Sequence, residues 1–87
     1  MLYVADWEFK PEHRNAVIAR FKQTGGLPPK GVKLLGRWHG IGNNKGVFVA
    51  ESENPLAFAK WMLEWSDLAS FDVYPALVDE EIAKVLP

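Results

Sequence analysis

Residues 32–51, VKLLGRWHGIGNNKGVFVAE, read as two extended runs, Val32 to Ile41 and Val47 to Glu51, folded back on each other. The turn chemistry lies between them, where Gly42, Asn43, Asn44 and Gly46 tolerate the positive φ that tight hairpins demand. With Asn43-Asn44 as the turn, His39 lies opposite Phe48 and Trp38 opposite Val49. A loop one residue longer would shift the register and exchange the faces.

Working outward, the chain is nearly symmetric about this hairpin. Upstream, Leu2 to Phe9 alternates, with Tyr3, Ala5, Trp7 and Phe9 on one face and Asp6 and Glu8 on the other, the period of a half-buried strand. Pro11-Glu12 then opens a helix that runs toward Thr24 with Val17, Ile18 and Phe21 as its apolar stripe; Gly25-Gly26 ends it and Pro28-Pro29 forbids continuation. Downstream, Ser52 or Asn54 caps a second helix with Pro55 at its first position. There Phe58, Trp61, Met62 and Trp65 follow the i, i+3, i+4, i+7 spacing, and Ser66-Asp67 serves as a helix stop. Phe71 to Val78 is a last strand whose Pro75 suits an edge or a bulge, and Asp79 caps a short terminal helix through Leu86.

The element order is therefore βαββαβ over one domain, residues 1–87, a ferredoxin-like α+β sandwich with an antiparallel four-stranded sheet and both helices on one face. Two helices cover one face of such a sheet, so the other must be polar, bind something or meet another chain. On the register above, the uncovered face carries Leu35, Arg37, His39, Phe48 and Ala50, joined by Asp6 and Glu8 if the first strand turns its aromatic residues to the helices.

A chain of 87 residues is near the lower limit for an adequate core, where stability often draws on oligomerisation. A net charge of -1 with dispersed Lys and Arg gives no footprint for a phosphate backbone, which argues against nucleic acid. The absence of cysteine excludes disulfides, thiolate metal sites and cysteine nucleophiles. No apolar run nears the roughly 18 residues of a membrane span and no signal core follows Met1, so the expected location is cytoplasmic.

The start Met1-Leu2-Tyr3-Val4, the Phe9-Lys10-Pro11 step, Gly31-Val32-Lys33, Trp38, Glu51-Ser52-Glu53-Asn54-Pro55, the Trp61 to Leu68 block and Phe71-Asp72-Val73-Tyr74-Pro75 together carry a resemblance. The chain resembles a family of small, mostly bacterial proteins known as a domain of unknown function within the dimeric α/β-barrel superfamily. It departs from that family at Asp6, where an apolar residue is usual, and at Trp7, where an acidic one is. The resemblance implies a homodimer whose sheets face each other, with cavities between sheet and helices or between sheets. Related branches include cofactor-free monooxygenases, haem-degrading enzymes and isomerases, so the fold alone transfers no activity.

Three functions remain open on the residues themselves. Trp38, Phe48, Trp61 and Trp65 can line a cavity for a small apolar or aromatic molecule, although each tryptophan also serves as core. His39, tuned by Asp6 or Arg37, can exchange a proton in a cofactor-independent enzyme of the monooxygenase or isomerase type. The third function is a structural or regulatory interaction module. His13 belongs to a helix surface, no pair of histidines has metal-ligand spacing, and no cofactor motif is present: Gly40-Ile41-Gly42 is too short and lies in a hairpin.

Overall fold

The expected order of strands and helices is present in the computed structural model, which covers all 87 residues. Alternation makes β1 (Leu2–Phe9), with Ala5 buried, Tyr3 and Trp7 half-buried, and Asp6 and Glu8 exposed. Pro11 starts a single 3-10 turn that passes into α1 (Arg14–Thr24). Gly25 and Gly26, at φ 71° and 60°, then take the left-handed conformation that closes a helix, and the Gly25 N–H donates to the Phe21 carbonyl at 2.7 Å. The hairpin strands are β2 (Lys33–His39) and β3 (Lys45–Glu51).

Asn54, not Ser52, caps α2 (Pro55–Trp65): its side-chain oxygen accepts from the Ala57 N–H at 3.1 Å. Ser52 is buried instead, donating to the Gly31 carbonyl at 2.7 Å and accepting from the Asn54 N–H at 3.0 Å, which ties the entry of α2 to the loop before β2. The last strand, β4 (Ala69–Ala76), begins two residues earlier than its aromatic run suggests, and the terminal α3 (Asp79–Ile82) is shorter than expected, with Val78 rather than Asp79 at its N-cap. The sheet order is β2-β3-β1-β4 with every pair antiparallel. Pro75 therefore falls on an edge strand, where a missing N–H does least harm.

The hairpin loop is longer than a two-residue Asn43-Asn44 turn, and the register is shifted by two residues: His39 pairs with Gly46, Trp38 with Val47 and Arg37 with Phe48. The loop is Gly40 to Asn44, braced by the Gly40 N–H to the Lys45 carbonyl at 2.8 Å and by the Asn43 side chain accepting from the Lys45 N–H at 3.1 Å. A shift of two residues keeps side-chain parity, so His39 still shares a face with Phe48 and Ala50.

The assignment of that face is reversed, however. Ala5, Phe48 and Ala50 point to the helices, and Arg37 and His39 go with them, whereas Asp6, Glu8, Val47, Val49 and Trp38 lie on the uncovered side. Two facts explain the reversal. First, β3 is apolar on both faces, so pattern alone does not choose between Phe48 with Ala50 and Val47 with Val49. Second, β2 carries a bulge: Leu34 pairs with Ala50 but Gly36 with Val49, leaving Leu35 as an extra residue. The bulge lets Leu34, Arg37 and His39 share one face, a spacing that strict alternation forbids.

The core sits off-centre. Its buried apolar residues are Ala5, Phe48 and Ala50 of the sheet and Phe58 and Trp61 of α2. Aromatic contacts knit it together: Tyr3 to Phe58 at 4.6 Å, Phe48 to Trp61 at 4.8 Å, and Phe58 edge-on to Trp61 at 5.9 Å between ring centres. By contrast α1 buries no residue, and Ile18 and Phe21 remain 37% and 36% exposed.

Candidate functional site

The space that α1 leaves above the sheet is a cleft of about 380 Å³. Trp7 and Phe9 of β1, Phe48 of β3, and Ala69 and Phe71 of β4 form its floor; Trp61, Met62 and Trp65 of α2 form one wall; Val17, Ile18, Phe21 and Lys22 of α1 form the other. Arg37 and His39 close the end toward β2, and the exposure of His39, Phe21 and Lys22 marks the mouth. The volume falls within the range of small-molecule pockets, about 300–1,000 Å³.

Local sequence explains the shape of the floor. Trp7 pairs with Gly46, and a β-carbon at Gly46 would lie 2.0 Å from the indole, so the glycine is what allows Trp7 to lie flat across the neighbouring strand. From there Trp7 meets the His39 ring edge-on at 5.3 Å and stacks toward Phe48 at 6.5 Å. His39 is also edge-on to Phe21 at 5.7 Å, so aromatic contacts from both sides of the mouth hold its ring. Trp61, 2% exposed, carries an indole N–H that no protein acceptor meets.

Two arginines hold α1 in place of a packed interface. Arg37 donates to the carbonyls of Gly26 at 2.6 Å and Gly25 at 3.1 Å, satisfying the end of α1, while its guanidinium lies 4.9 Å over the Phe21 ring. Burial lowers its pKa from the ordinary arginine value, and the group stays cationic at physiological pH. Arg20 makes a two-pronged pair with Asp67 at 2.8 Å, donates to the Glu64 carbonyl at 2.8 Å and covers the Trp65 ring at 5.5 Å. Their hydrogen bond raises the Arg20 pKa and lowers that of Asp67. Asp67, two residues past the end of α2, thus anchors α1 through Arg20.

Of the residues singled out from sequence, His39, Arg37, Phe48, Trp61 and Trp65 meet around this cleft. Asp6 and Trp38 do not: both lie on the uncovered face, Asp6 paired with Val47 and Trp38 folded over Gly36. Asp6 is therefore across the sheet from His39 and Arg37. Trp7, Phe21, Lys22, Met62 and Phe71 were not singled out. The signal for Trp7 was present, as an aromatic opposite a strand glycine, but it requires the register of β1 against β3. His13 turns inward enough for its Nδ1 to lie 3.1 Å from the Leu68 carbonyl.

The βαββαβ chain with its antiparallel sheet and helices on one face has a ferredoxin-like α+β fold. More particularly, it belongs to the family described as a domain of unknown function, DUF3303, which matches residues 1–87. Among solved structures it is similar to Rv0793 from Mycobacterium tuberculosis, with 13% identity and a TM-score of 0.52 over 90% of this chain and 95% of that one. It is also similar to a candidate antibiotic biosynthesis monooxygenase from Deinococcus radiodurans, with 11% identity and a TM-score of 0.46 over 90% and 94% of the two chains. At these identities the likeness is one of fold. No curated protein matches the chain by sequence.

Proposed function

We propose that the protein is a cytoplasmic homodimer that binds a small aromatic molecule in the cleft between α1 and the sheet. The observation that carries this reading is the lining: 11 of its 14 residues are hydrophobic, among them Trp7, Trp61 and Trp65. A wall of this kind left open to water is costly unless something apolar fills it. Titration with the neutral bicyclic 2-naphthamide, followed by the indole N–H resonances, is expected to move Trp7, Trp61 and Trp65 saturably and to leave Trp38 in place. No saturable shift by any bicyclic aromatic would overturn the reading, as would shifts confined to Trp38.

Dimerisation is supported by the uncovered face, where Val4, Val47 and Val49 are half-buried and Trp38 and Tyr74 are 59% and 47% exposed. An apolar sheet face of this kind calls for cover. Light scattering at micromolar concentration is expected to give twice the 9.8 kDa of one chain; a monomeric mass would overturn this part.

A second reading, a cofactor-independent oxygenase or isomerase, is favoured by one observation: His39 borders the mouth of the cleft beside Arg37. In that reading His39 accepts a proton from the bound molecule without help from Asp6. Turnover of a bound ligand that is unchanged in His39→Ala would remove it.

A further inference from the structure

The two charged groups in the cleft lining, Lys22 and Arg37, are both positive. The three lining residues that are not hydrophobic are Lys22, Arg37 and His39, and none of the chain's 11 acidic residues reaches the cleft. Arg37 is the most exacting of the three. It is half-buried, its recorded partners are neutral carbonyls, and no carboxylate pairs with it. A guanidinium has five N–H donors in a fixed fork, and two of them are spent on Gly25 and Gly26, which leaves three. Lys22, in the last turn of α1, adds a second positive charge on the same side.

This arrangement discriminates among aromatic ligands by charge. A neutral ring filling the cleft would strip water from Arg37 and return nothing to its free donors, and a cationic one would add repulsion. A ligand ending in an anionic oxygen group instead supplies the counter-charge and accepts charge-assisted hydrogen bonds, the stronger kind.

Building on the reading of the cleft as an aromatic-ligand site, we propose that it selects aromatic carboxylates. The ring lies among Trp7, Phe48 and Trp65, and the carboxylate meets Arg37 with Lys22 and His39 alongside. Arg37 is then a specificity residue as well as the cap of α1, so occupancy of the cleft and the position of α1 are linked through one side chain.

The test uses the wild-type protein and three probes that share one ring system: 2-naphthoate, 2-naphthamide and 2-naphthylmethylammonium, titrated at neutral pH by calorimetry and by the indole resonances. The expected order is naphthoate tightest by about tenfold over the amide, with the ammonium weakest; tenfold corresponds to one charge-assisted contact. Arg37→Gln is expected to bring naphthoate and the amide to equal affinity; a tenfold preference that persists in this variant would overturn the role of Arg37. Because Arg37 also caps a helix, Lys22→Gln supplies a second variant at an exposed position, expected to weaken naphthoate about two- to threefold and the amide not at all. Equal affinity of naphthoate and naphthamide for the wild-type protein would overturn the carboxylate proposal and leave the aromatic site standing. Failure of all three probes to bind would remove the site itself.

Discussion

The two helices lie on the same face of one sheet and are held there by different physics. Helix α2 presses Phe58 and Trp61 into the sheet and buries them among Tyr3, Ala5, Phe48 and Ala50. Helix α1, of equal length at 11 residues, buries nothing and is held by Arg20 and Arg37 at its sides and end. The difference is written in composition. PLAFAKWMLEW brings large apolar groups on one stripe, whereas RNAVIARFKQT offers only Val17, Ile18 and Phe21. One helix makes the core, and the other roofs a cleft over it. The buried core and the open cleft thereby fall to different helices of the same layer.

That contrast can be broken most severely on the α2 side. Trp61→Ala removes a nearly fully buried indole from contacts with Phe48 and Phe58, and a loss of about 3–5 kcal/mol in urea unfolding is expected. The floor of the cleft should be the next most sensitive place. Gly46→Val puts methyl groups where the Trp7 indole lies, and about 1–3 kcal/mol should be lost as the ring is pushed into the cleft. A Gly46→Val protein that keeps both wild-type stability and ligand affinity would show that the flat Trp7 is dispensable.

On the α1 side the effects should be smaller. Ile18→Ala trims a side chain already 37% exposed, so about 1 kcal/mol is expected by the same denaturation measurement. A cost near that of Trp61→Ala would mean that α1 packs as a core helix, and the comparison would fail. The smallest effect belongs to Asp67→Asn, and it should depend on pH. Because pairing with Arg20 holds the Asp67 carboxyl below its usual range, the stabilisation is present above that range and is lost as pH falls through the lowered value. The variant should unfold slightly more readily than wild type at neutral pH and match it in acid; equal midpoints at both would mean that the pair contributes nothing.

Sequence periodicity was sufficient for the elements because each signal is local: alternation in β1, glycines after α1, Asn54-Pro55 before α2. It was also sufficient for the pairing parity of the hairpin. Two non-local facts escaped it. The facing of β3 depends on which apolar stripe α2 selects, and Phe48 and Ala50 compete there with Val47 and Val49 on nearly equal terms. The bulge at Leu35 has no signature in LLGRWH beyond a glycine in a strand. Those two facts decide where Arg37 and His39 go, so the site was legible as a set of residue types but not as a place. Trp61 and Trp65 fared better, since helical spacing is preserved whatever the sheet does. Trp38 fared worst, because it stays with the Val47 and Val49 stripe, which the helices leave uncovered.

Leu35 thus acts as a sorting residue. Were it deleted, β2 could keep its upstream pairing or its downstream pairing but not both. Either Leu34 would leave the helix side or Arg37 and His39 would cross to the face that bears Trp38 and Val49. In the second case the roofed space would lose two of its three basic residues and the opposite surface would gain them, with no change in the identity of any remaining side chain. A single-codon deletion in β2 is therefore a route by which a relative of this protein could move charge from beneath its helices to the uncovered face of its sheet.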